Sequence, residues 1–287
     1  MQKSIVKMKT FRMIGMALFA VLMCVNFASC GNDDGEIPSD PTGDSPTNQP
    51  SNEKKLVKII EQDNDGNERI IEFKYNEDGN VIEANEWSKY SYDDAWRTDR
   101  IIYNWNSKEL VTIIGSGFEE GHKLTLSNDR VRNEYQAEYK QYTGSEPFLD
   151  ENFIFYNYDK NRNLTEYGAK WSEEGEYEAI YKLNWNEKQV ASIEDNNSNI
   201  STIRYENRTC KGFFPLFACC FDDGSILKFN YIFIAQPQLI GLKTNYLPTK
   251  IIGNADCSFE SFEYEFNTDG YIETCIADKN YYEFVWE

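Results

Sequence analysis

The feature that most constrains the fold is a strict two-residue alternation of apolar and polar side chains, which recurs from residue 54 to the end of the chain. The stretches IEFKY (71–75), YEAIYKLNW (177–185), FEYEF (262–266) and YEFVW (282–286) all alternate in this way. A period of two is typical of β-strands with one buried and one solvated face. The alternation therefore predicts an all-β domain.

The turns between these stretches repeat as well. YNEDGNV (75–81), YDKNRNL (158–164) and FNTDGYI (266–272) each place an aliphatic or aromatic residue at both ends of a polar stretch. WNSKEL (105–110) and WNEKQV (185–190) are shorter versions of the same unit. In a hairpin the first aromatic ends one strand, Asn, Asp and Gly adopt the turn's unusual dihedrals, and the aliphatic begins the return strand. At least six such hairpins in series, QDNDGNE (62–68) included, predict a long antiparallel meander, curved or closed into a barrel-like sheet.

Two stretches depart from the simple pattern. RVRNEYQAEYKQY (130–142) fits either a strand or a helix period, and its neighbours favour a strand. Residues 226–242 are densely apolar, and Pro237 argues against one continuous helix there. We expect this insertion to form a buried strand with a short helix, or a plug that fills the curved sheet.

The aromatic-Asn/Asp-turn-aliphatic unit resembles the tyrosine-aspartate repeats of large β shells. KGFF (211–214), NYLPTKI (245–251) and FEYEFNTDGYIET (262–274) resemble a family of Bacteroidota surface lipoproteins with a domain of unknown function and a porin-like β fold. This resemblance implies the fold and a cell-surface location, and it carries over no catalytic residue.

A porin-like fold raises the question of whether the sheet spans a membrane. A membrane barrel needs an unbroken apolar band on its outer surface, about 25 Å tall. In this chain charged residues interrupt the strands often and the mean hydropathy is low. We therefore expect a soluble barrel-like sheet.

The N-terminus predicts a lipoprotein signal peptide over residues 1–29. Four basic residues in the first twelve precede an apolar stretch, 13–27, that is too short to span a bilayer but suits a signal-peptide core. FASC (27–30) resembles the bacterial lipobox, which places the lipidated cysteine at Cys30, although Phe27 departs from the usual aliphatic residue. The alternative is an ordinary signal peptide cleaved nearby.

Residues 30–53 predict a disordered, lipidated tether before a β domain at 54–287. The tether holds four of the chain's eight prolines and one bulky aliphatic residue, so it cannot bury enough surface to order itself. Asp33, Asp34 and Glu36 resemble the signal that exports lipoproteins to the outer face of the outer membrane. The alternative is that these acids only solvate the linker.

The charge restricts the partners. The formal net charge is −19, and removal of the signal's four basic residues leaves −23. Such an acidic chain argues against nucleic acid, anionic lipid headgroups and polyanionic glycans as non-specific partners. Neutral glycans, basic proteins and divalent cations remain open.

Cysteine and histidine give little sign of catalysis. Five cysteines follow Cys30, namely Cys210, Cys219, Cys220, Cys257 and Cys275. Because five is an odd number, at least one is unpaired, and we expect most of them to be small buried residues. The alternative is a disulfide bridge between Cys257 and Cys275. The single histidine, His122, adjoins a turn, where we expect it to be exposed and non-catalytic. One histidine is too few for a multi-histidine zinc site, and we expect no metal or cofactor.

The unusual feature of the composition is its aromatic content, at 15% of residues. Trp87, Tyr90, Tyr92 and Trp96 cluster between two predicted strands, with acids among them. Aromatic faces beside carboxylates suit sugar rings, which offer apolar CH faces and hydroxyl edges. The alternative, which we favour from the sequence alone, is that these rings pack beneath their own loop.

The sequence thus favours a surface-displayed, non-catalytic module that binds an extracellular glycan or protein. A polysaccharide hydrolase that uses a pair of acidic residues is one alternative, because 48 acids must form pairs somewhere. A structural accessory subunit of an outer-membrane complex is another.

Overall fold

A computed structural model describes residues 53–93, 95–115, 118–140, 148–170, 175, 178–216, 231–253 and 258–287. These residues belong to one compact unit, Asn52–Glu287, which is distinct from a second unit, Met1–Ser51. The predicted signal peptide, Cys30, the acids Asp33, Asp34 and Glu36, and nearly all of the tether lie outside the described residues and stay predictions.

The described chain is almost entirely β-structure, with sixteen strands. Their bounds are β1 Leu56–Gln62, β2 Glu68–Tyr75, β3 Val81–Lys89, β4 Arg97–Ser107, β5 Leu110–Gly115, β6 Phe118–Ser127, β7 Arg130–Lys140, β8 Phe148–Tyr158, β9 Leu164–Lys170, β10 Glu178–Asn186, β11 Gln189–Asp195, β12 Ile200–Phe214, β13 Thr244–Gly253, β14 Phe262–Phe266, β15 Ile272–Ala277 and β16 Asn280–Trp286. The all-β prediction is confirmed, and β7 confirms the strand expected within 130–142.

The strands form one antiparallel sheet that nearly closes on itself. Each strand from β1 to β12 pairs with the next, β14 pairs with β15 and β15 with β16, and β16 pairs with β1, so that β13 and β14 are the two ends of the sheet. These ends meet through a single bridge between Ile251 and Phe259. Across the same seam the Tyr264 hydroxyl donates to the Pro248 carbonyl at 2.6 Å. The result is the barrel-like sheet that the meander predicted.

Because successive strands run antiparallel, their connections alternate between two edges of the sheet. The edge that carries the turns after β2, β4, β6, β8, β10 and β14 is called the plug edge. The loop edge carries the connections after β1, β3, β5, β7, β9, β11, β13 and β15.

One face of the sheet, the inner face, holds the core. Ile59 lies opposite Ile71, and Phe73 lies opposite Ala84, and all four are at most 4% exposed. The same alternation continues around the sheet through Ile101, Val111, Leu124, Ile154, Leu183 and Ile193. Burial of this apolar face is the main favourable contribution to folding.

The apolar insertion packs on the inner face at the plug edge. Helix α1 (Tyr231–Ala235) is buried along its whole length, and a 3₁₀ helix (Pro237–Ile240) follows it. The Gln236 side chain accepts from the Val81 amide at 3.0 Å and donates to the Gly79 carbonyl at 3.1 Å. The predicted plug with a short helix is thereby confirmed for residues 231–242. The helix breaks at Pro237, as its missing N–H requires.

The opposite, outer face is polar and charged. Lys58 pairs with Glu72 at 2.8 Å across β1 and β2, on the face opposite Ile59. Glu83 on β3 pairs with Lys74 at 2.6 Å and with Arg100 at 2.5 Å. These hydrogen bonds lower the pKa of Glu83 to about 2, with Arg100 as the largest cause.

The repeated sequence units owe their pattern to two recurring contacts. In five turns an Asx side chain accepts from the backbone amide four residues later; the five are Asp63, Asn76, Asp159, Asp195 and Asn267. In seven of the eight even-numbered strands an aromatic N–H or O–H donates to a carbonyl of the preceding strand; the donors are Tyr75, Trp105, Tyr158, Trp185, Tyr205, Tyr264 and Trp286. In these seven strand pairs the aromatic residue therefore links the two strands by a hydrogen bond, and its ring packs against the core.

Two of the cysteines can be placed. Cys210 and Cys275 are buried free thiols, as expected, and burial raises the pKa of Cys210 to about 12. Cys219, Cys220 and Cys257 lie outside the described residues. Within the described part of the chain, no helix is long and apolar enough to cross a bilayer.

Candidate functional site

The β3–β4 connection at the loop edge brings two of the predicted aromatic residues together. The rings of Tyr90 and Tyr92 stack with their centroids 5.5 Å apart and their planes 19° apart. The Arg97 guanidinium lies over the Tyr90 ring, 4.8 Å from its centroid. Stacking of this kind favours a defined orientation of both rings.

Short hydrogen bonds hold this connection in shape. The Asp93 amide donates to the Tyr90 carbonyl at 2.9 Å, and the Asp93 carboxylate accepts from the Ala95 amide at 2.9 Å. The Ser91 amide donates to the Asn67 side chain at 2.9 Å, which joins the loop to the β1–β2 turn. The aromatic pair thus lies on a loop that is held by internal hydrogen bonds and anchored to the β1–β2 turn.

The rings of this loop face solvent. Tyr92 is 78% exposed and Trp96 is 43% exposed, so our expectation that these side chains pack beneath their own loop is wrong for both. A two-residue alternation cannot predict this, because the loop lies between strands and has no period. Trp87 is not part of the pair: it lies on β3, on the outer face, opposite Ile70 and Thr98.

Exposed aromatic faces next to a carboxylate and a guanidinium form a surface that a sugar ring or a planar side chain can contact. The CH face of a sugar packs on an aromatic ring, and its hydroxyl groups bind carboxylates and guanidinium groups. Here Asp93 and Arg97 form an ion pair of 3.5 Å at the base of the Tyr90–Tyr92 stack. The arrangement supplies apolar contact and hydrogen bonding.

The expectation that His122 is exposed is wrong. His122 is fully buried on the inner face opposite Ile113, where its Nε2 lies 2.6 Å from Oε1 of Glu134. The Tyr156 hydroxyl donates to the other carboxylate oxygen at 2.6 Å, and the Gln136 amide donates to Oε1 at 2.7 Å. The signal was present in the sequence, because His122 shares the two-residue alternation of the buried Leu124.

This buried network has a structural character. Burial by itself raises the pKa of Glu134, but the charge of His122 and hydrogen bonds from His122, Tyr156 and Gln136 outweigh it, so the pKa of Glu134 is lowered. Glu134 is therefore an ionised carboxylate. At 1% exposure it has no open path to a substrate.

The hydrolase alternative requires a carboxyl group that can act as a general acid. Among the described residues, the carboxylates with a shifted pKa are Glu83, Glu134, Asp195 and Asp269, and each is lowered. A general acid at neutral pH needs a raised pKa. In the same part of the chain, no three metal-binding side chains come together.

Comparison with known proteins places the fold. No family model and no curated protein match the sequence. The structure is similar to the crystal structure of a porin-like protein from Bacteroides uniformis, with a TM-score of 0.59 and 14% identity over 83% of this chain and 100% of that one. The fold is porin-like. A second porin-like protein, from Bacteroides vulgatus, matches with a TM-score of 0.51 and 13% identity over 82% of this chain and 99% of that one.

Proposed function

We propose that this chain is a lipoprotein of the outer membrane whose β domain is a non-catalytic module that binds an extracellular glycan through the β3–β4 loop. The observation that carries the proposal is the exposure of Tyr92 and Trp96. Among the described residues, they are the two aromatic side chains with large exposed surfaces, and both lie on this seven-residue connection.

The position of the loop supports this role. The chain enters the sheet at the plug edge, where Lys54 pairs with Asp269 at 2.8 Å and Glu53 pairs with Lys243 at 3.1 Å. The β3–β4 loop belongs to the loop edge, at the other end of the strands. The described chain therefore begins at the edge opposite to the loop that we propose as the binding site.

Attachment through a lipid is proposed on the FASC (27–30) motif and the acids that follow it. The porin-like neighbours from Bacteroides agree with a place in the cell envelope. We further propose that the sheet itself does not cross the membrane. Its outer face carries ion pairs such as Lys58–Glu72, where a membrane-spanning sheet needs an apolar band.

The test is affinity electrophoresis of residues 52–287, the compact unit that holds every described contact, in gels cast with neutral or acidic polysaccharides. The same samples are assayed for new reducing ends. A Tyr92→Ala/Trp96→Ala variant removes the exposed rings. Ile200→Ala is the matched control, because Ile200 is an exposed apolar side chain (52%) outside this loop.

We expect one or more polysaccharides to retard the wild type and the control, and the double variant to migrate as it does in a gel without polysaccharide. If each ring contact contributes about 0.5–1.5 kcal/mol, as a pair of aromatic rings does, loss of both rings weakens the affinity about tenfold or more. Retardation together with new reducing ends would mean that the protein cleaves the polysaccharide, and the hydrolase alternative would then replace this proposal. Folded protein that no polysaccharide retards would replace it by a protein partner.

A further inference from the structure

A second concave feature lies at the plug edge, between the β6–β7 turn and the β8–β9 turn. It is a cleft of about 340 Å³, and three arginines line it together with Ser127, Asn128, Asn157 and two tyrosine rings; the arginines are Arg130, Arg132 and Arg162. No carboxylate is among the described residues that line it. Three arginine residues thus line one cleft of a chain whose net charge is −19.

These arginines differ from four of the five other arginines of the described sheet. Arg69, Arg97, Arg100 and Arg208 each pair with a carboxylate, at N–O distances of 2.5, 3.5, 2.5 and 2.9 Å. Within the described chain, none of the cleft arginines has such a partner. Arg130 instead donates to two backbone carbonyls, those of Arg162 at 3.4 Å and Asp129 at 3.2 Å.

The nearby acids do not neutralise the cleft. The Glu166 carboxylate accepts from the Asn157 amide at 2.9 Å, and the Asp159 carboxylate accepts from two amides of its own turn. The pKa of Arg130 is lowered, first by burial and then by the charge of Arg162. Asp129 opposes this effect without cancelling it. A bound anion would relieve the repulsion between these guanidinium groups.

The backbone at Arg162 has a conformation that glycine adopts without strain. Five turns share the same geometry, and their fourth residue has a positive φ; in three of them it is glycine, namely Gly66, Gly79 and Gly270. In the β8–β9 turn Arg162 takes this position with φ +66°. A left-handed conformation is unfavourable for a residue with a side chain, and Ser198 takes the same position of the β11–β12 turn with φ +62°, so the turn itself imposes this conformation.

The plug supports this turn. The Leu164 amide approaches the Gly241 carbonyl at 3.5 Å, and a Cβ on Gly241 would lie 2.5 Å from the Arg162 carbonyl oxygen. The backbone that presents Arg162 is therefore packed against the segment that follows the 3₁₀ helix. Guanidinium groups on a fixed backbone lose less conformational entropy when they bind an oxyanion.

We propose that this cleft binds a phosphate or sulfate ester group through Arg130, Arg132 and Arg162. Planar guanidinium groups donate pairs of hydrogen bonds that match the oxygens of these tetrahedral anions. The anion has two sources that share this chemistry, a lipid headgroup and a soluble phosphorylated or sulfated sugar. The inference does not rest on glycan binding by the β3–β4 loop, which lies at the other edge of the sheet.

The experiment is titration calorimetry of residues 52–287 with inorganic phosphate and with sulfate, at an ionic strength held constant with chloride. The test variant is Arg132→Gln/Arg162→Gly. Arg132 and Arg162 are exposed, and glycine suits the backbone at position 162, so we expect the melting temperature not to fall. Arg204→Gln is the matched control, because Arg204 is an exposed arginine of β12 that also has no carboxylate partner within the described chain.

We expect saturable binding to the wild type and the Arg204→Gln control, and an affinity at least about tenfold weaker in the double variant. Co-sedimentation with phosphatidylcholine vesicles, with and without phosphatidic acid, then separates the sources. Arginine-dependent binding to the anionic vesicles assigns a lipid headgroup, and binding of soluble anions alone assigns a soluble ester. Equal weakening by Arg204→Gln, or no saturable binding of either anion and none to anionic vesicles, overturns the proposal.

Discussion

The plug edge and the loop edge are built from the same hairpins, yet they differ in what their aromatic residues do. At the plug edge, rings such as Trp185 and Trp286 are largely buried and donate to carbonyls of the preceding strand at 2.6 and 2.7 Å. At the loop edge, Tyr92 and Trp96 face solvent. The contrast indicates that one edge holds the sheet together, which leaves the other available for binding.

The plug adds to this difference. Phe233 of α1 is fully buried and meets the Tyr156 ring edge-on, with centroids 5.9 Å apart. The Tyr103 hydroxyl accepts from the Ile232 amide at 3.2 Å. Burial raises the pKa of Tyr103 well above its usual range, so this hydroxyl stays neutral. The inner face of the sheet and the insertion therefore form one core.

The contrast between the plug edge and the loop edge predicts that Phe233→Ala has the largest effect on the free energy of unfolding. Removal of a fully buried ring leaves a cavity under the sheet, and we expect the free energy of unfolding to fall by about 3–5 kcal/mol. Urea unfolding followed by tryptophan fluorescence measures it. Ile252→Ala, at an exposed position of β13, is the control and is expected to change little. Equal effects of the two substitutions would contradict a core centred on the plug.

Glu134→Gln tests the inner face away from the two edges. The substitution removes the charge that pairs with His122, and we expect a loss of about 3 kcal/mol in the free energy of unfolding. Since the pKa of Glu134 is lower in the folded state than its usual value of 4.5, its contribution is fully present above that value. It is lost as the pH falls through the lower, folded-state pKa.

The pH profile provides the check on this prediction. Wild type is expected to lose stability below about pH 4.5 more steeply than Glu134→Gln, because only the wild type must protonate this carboxylate. Urea unfolding at a series of pH values measures both curves. Parallel curves would mean that Glu134 is not the ionised partner of His122.

Tyr75→Phe isolates one of the aromatic–carbonyl contacts of the plug edge. The Tyr75 hydroxyl donates to the Leu56 carbonyl at 2.5 Å, and its loss should cost about 1 kcal/mol, the net value of a single hydrogen bond. Tyr92→Phe removes a hydroxyl from an exposed ring at the loop edge and serves as the control. Thermal unfolding of the two variants in parallel tests whether the contact stabilises the hairpin.

Much of this architecture follows from local sequence, because a two-residue alternation and Asx turns act over a few residues. The hairpins, the meander and the apolar insertion could all be predicted for that reason. The pairing of β1 with β16 could not, because no local pattern specifies which distant strands meet. His122 was misjudged because the nearby turn was given more weight than the alternation it shares with Leu124.

The two proposed binding surfaces were harder to predict for a different reason. Tyr90, Tyr92 and Trp96 could be singled out as a cluster, but their exposure depends on how Asp93 and Asn67 hold the loop. The arginine cleft was not foreseen at all, because its residues come from two turns about thirty positions apart. The register of β7 and β8 is what brings those turns together.

The smallest effect on stability is expected from Tyr92→Ala combined with Trp96→Ala. Both side chains are exposed, so the free energy of unfolding should change by no more than about 0.5 kcal/mol, although two large rings are removed. Urea unfolding on the same preparation used for affinity electrophoresis makes the two measurements comparable. A loss of polysaccharide retention at unchanged stability would assign these rings to binding. A loss of stability close to that of Phe233→Ala would instead make the loop edge a second part of the core, because only rings that support the sheet can destabilise it on removal.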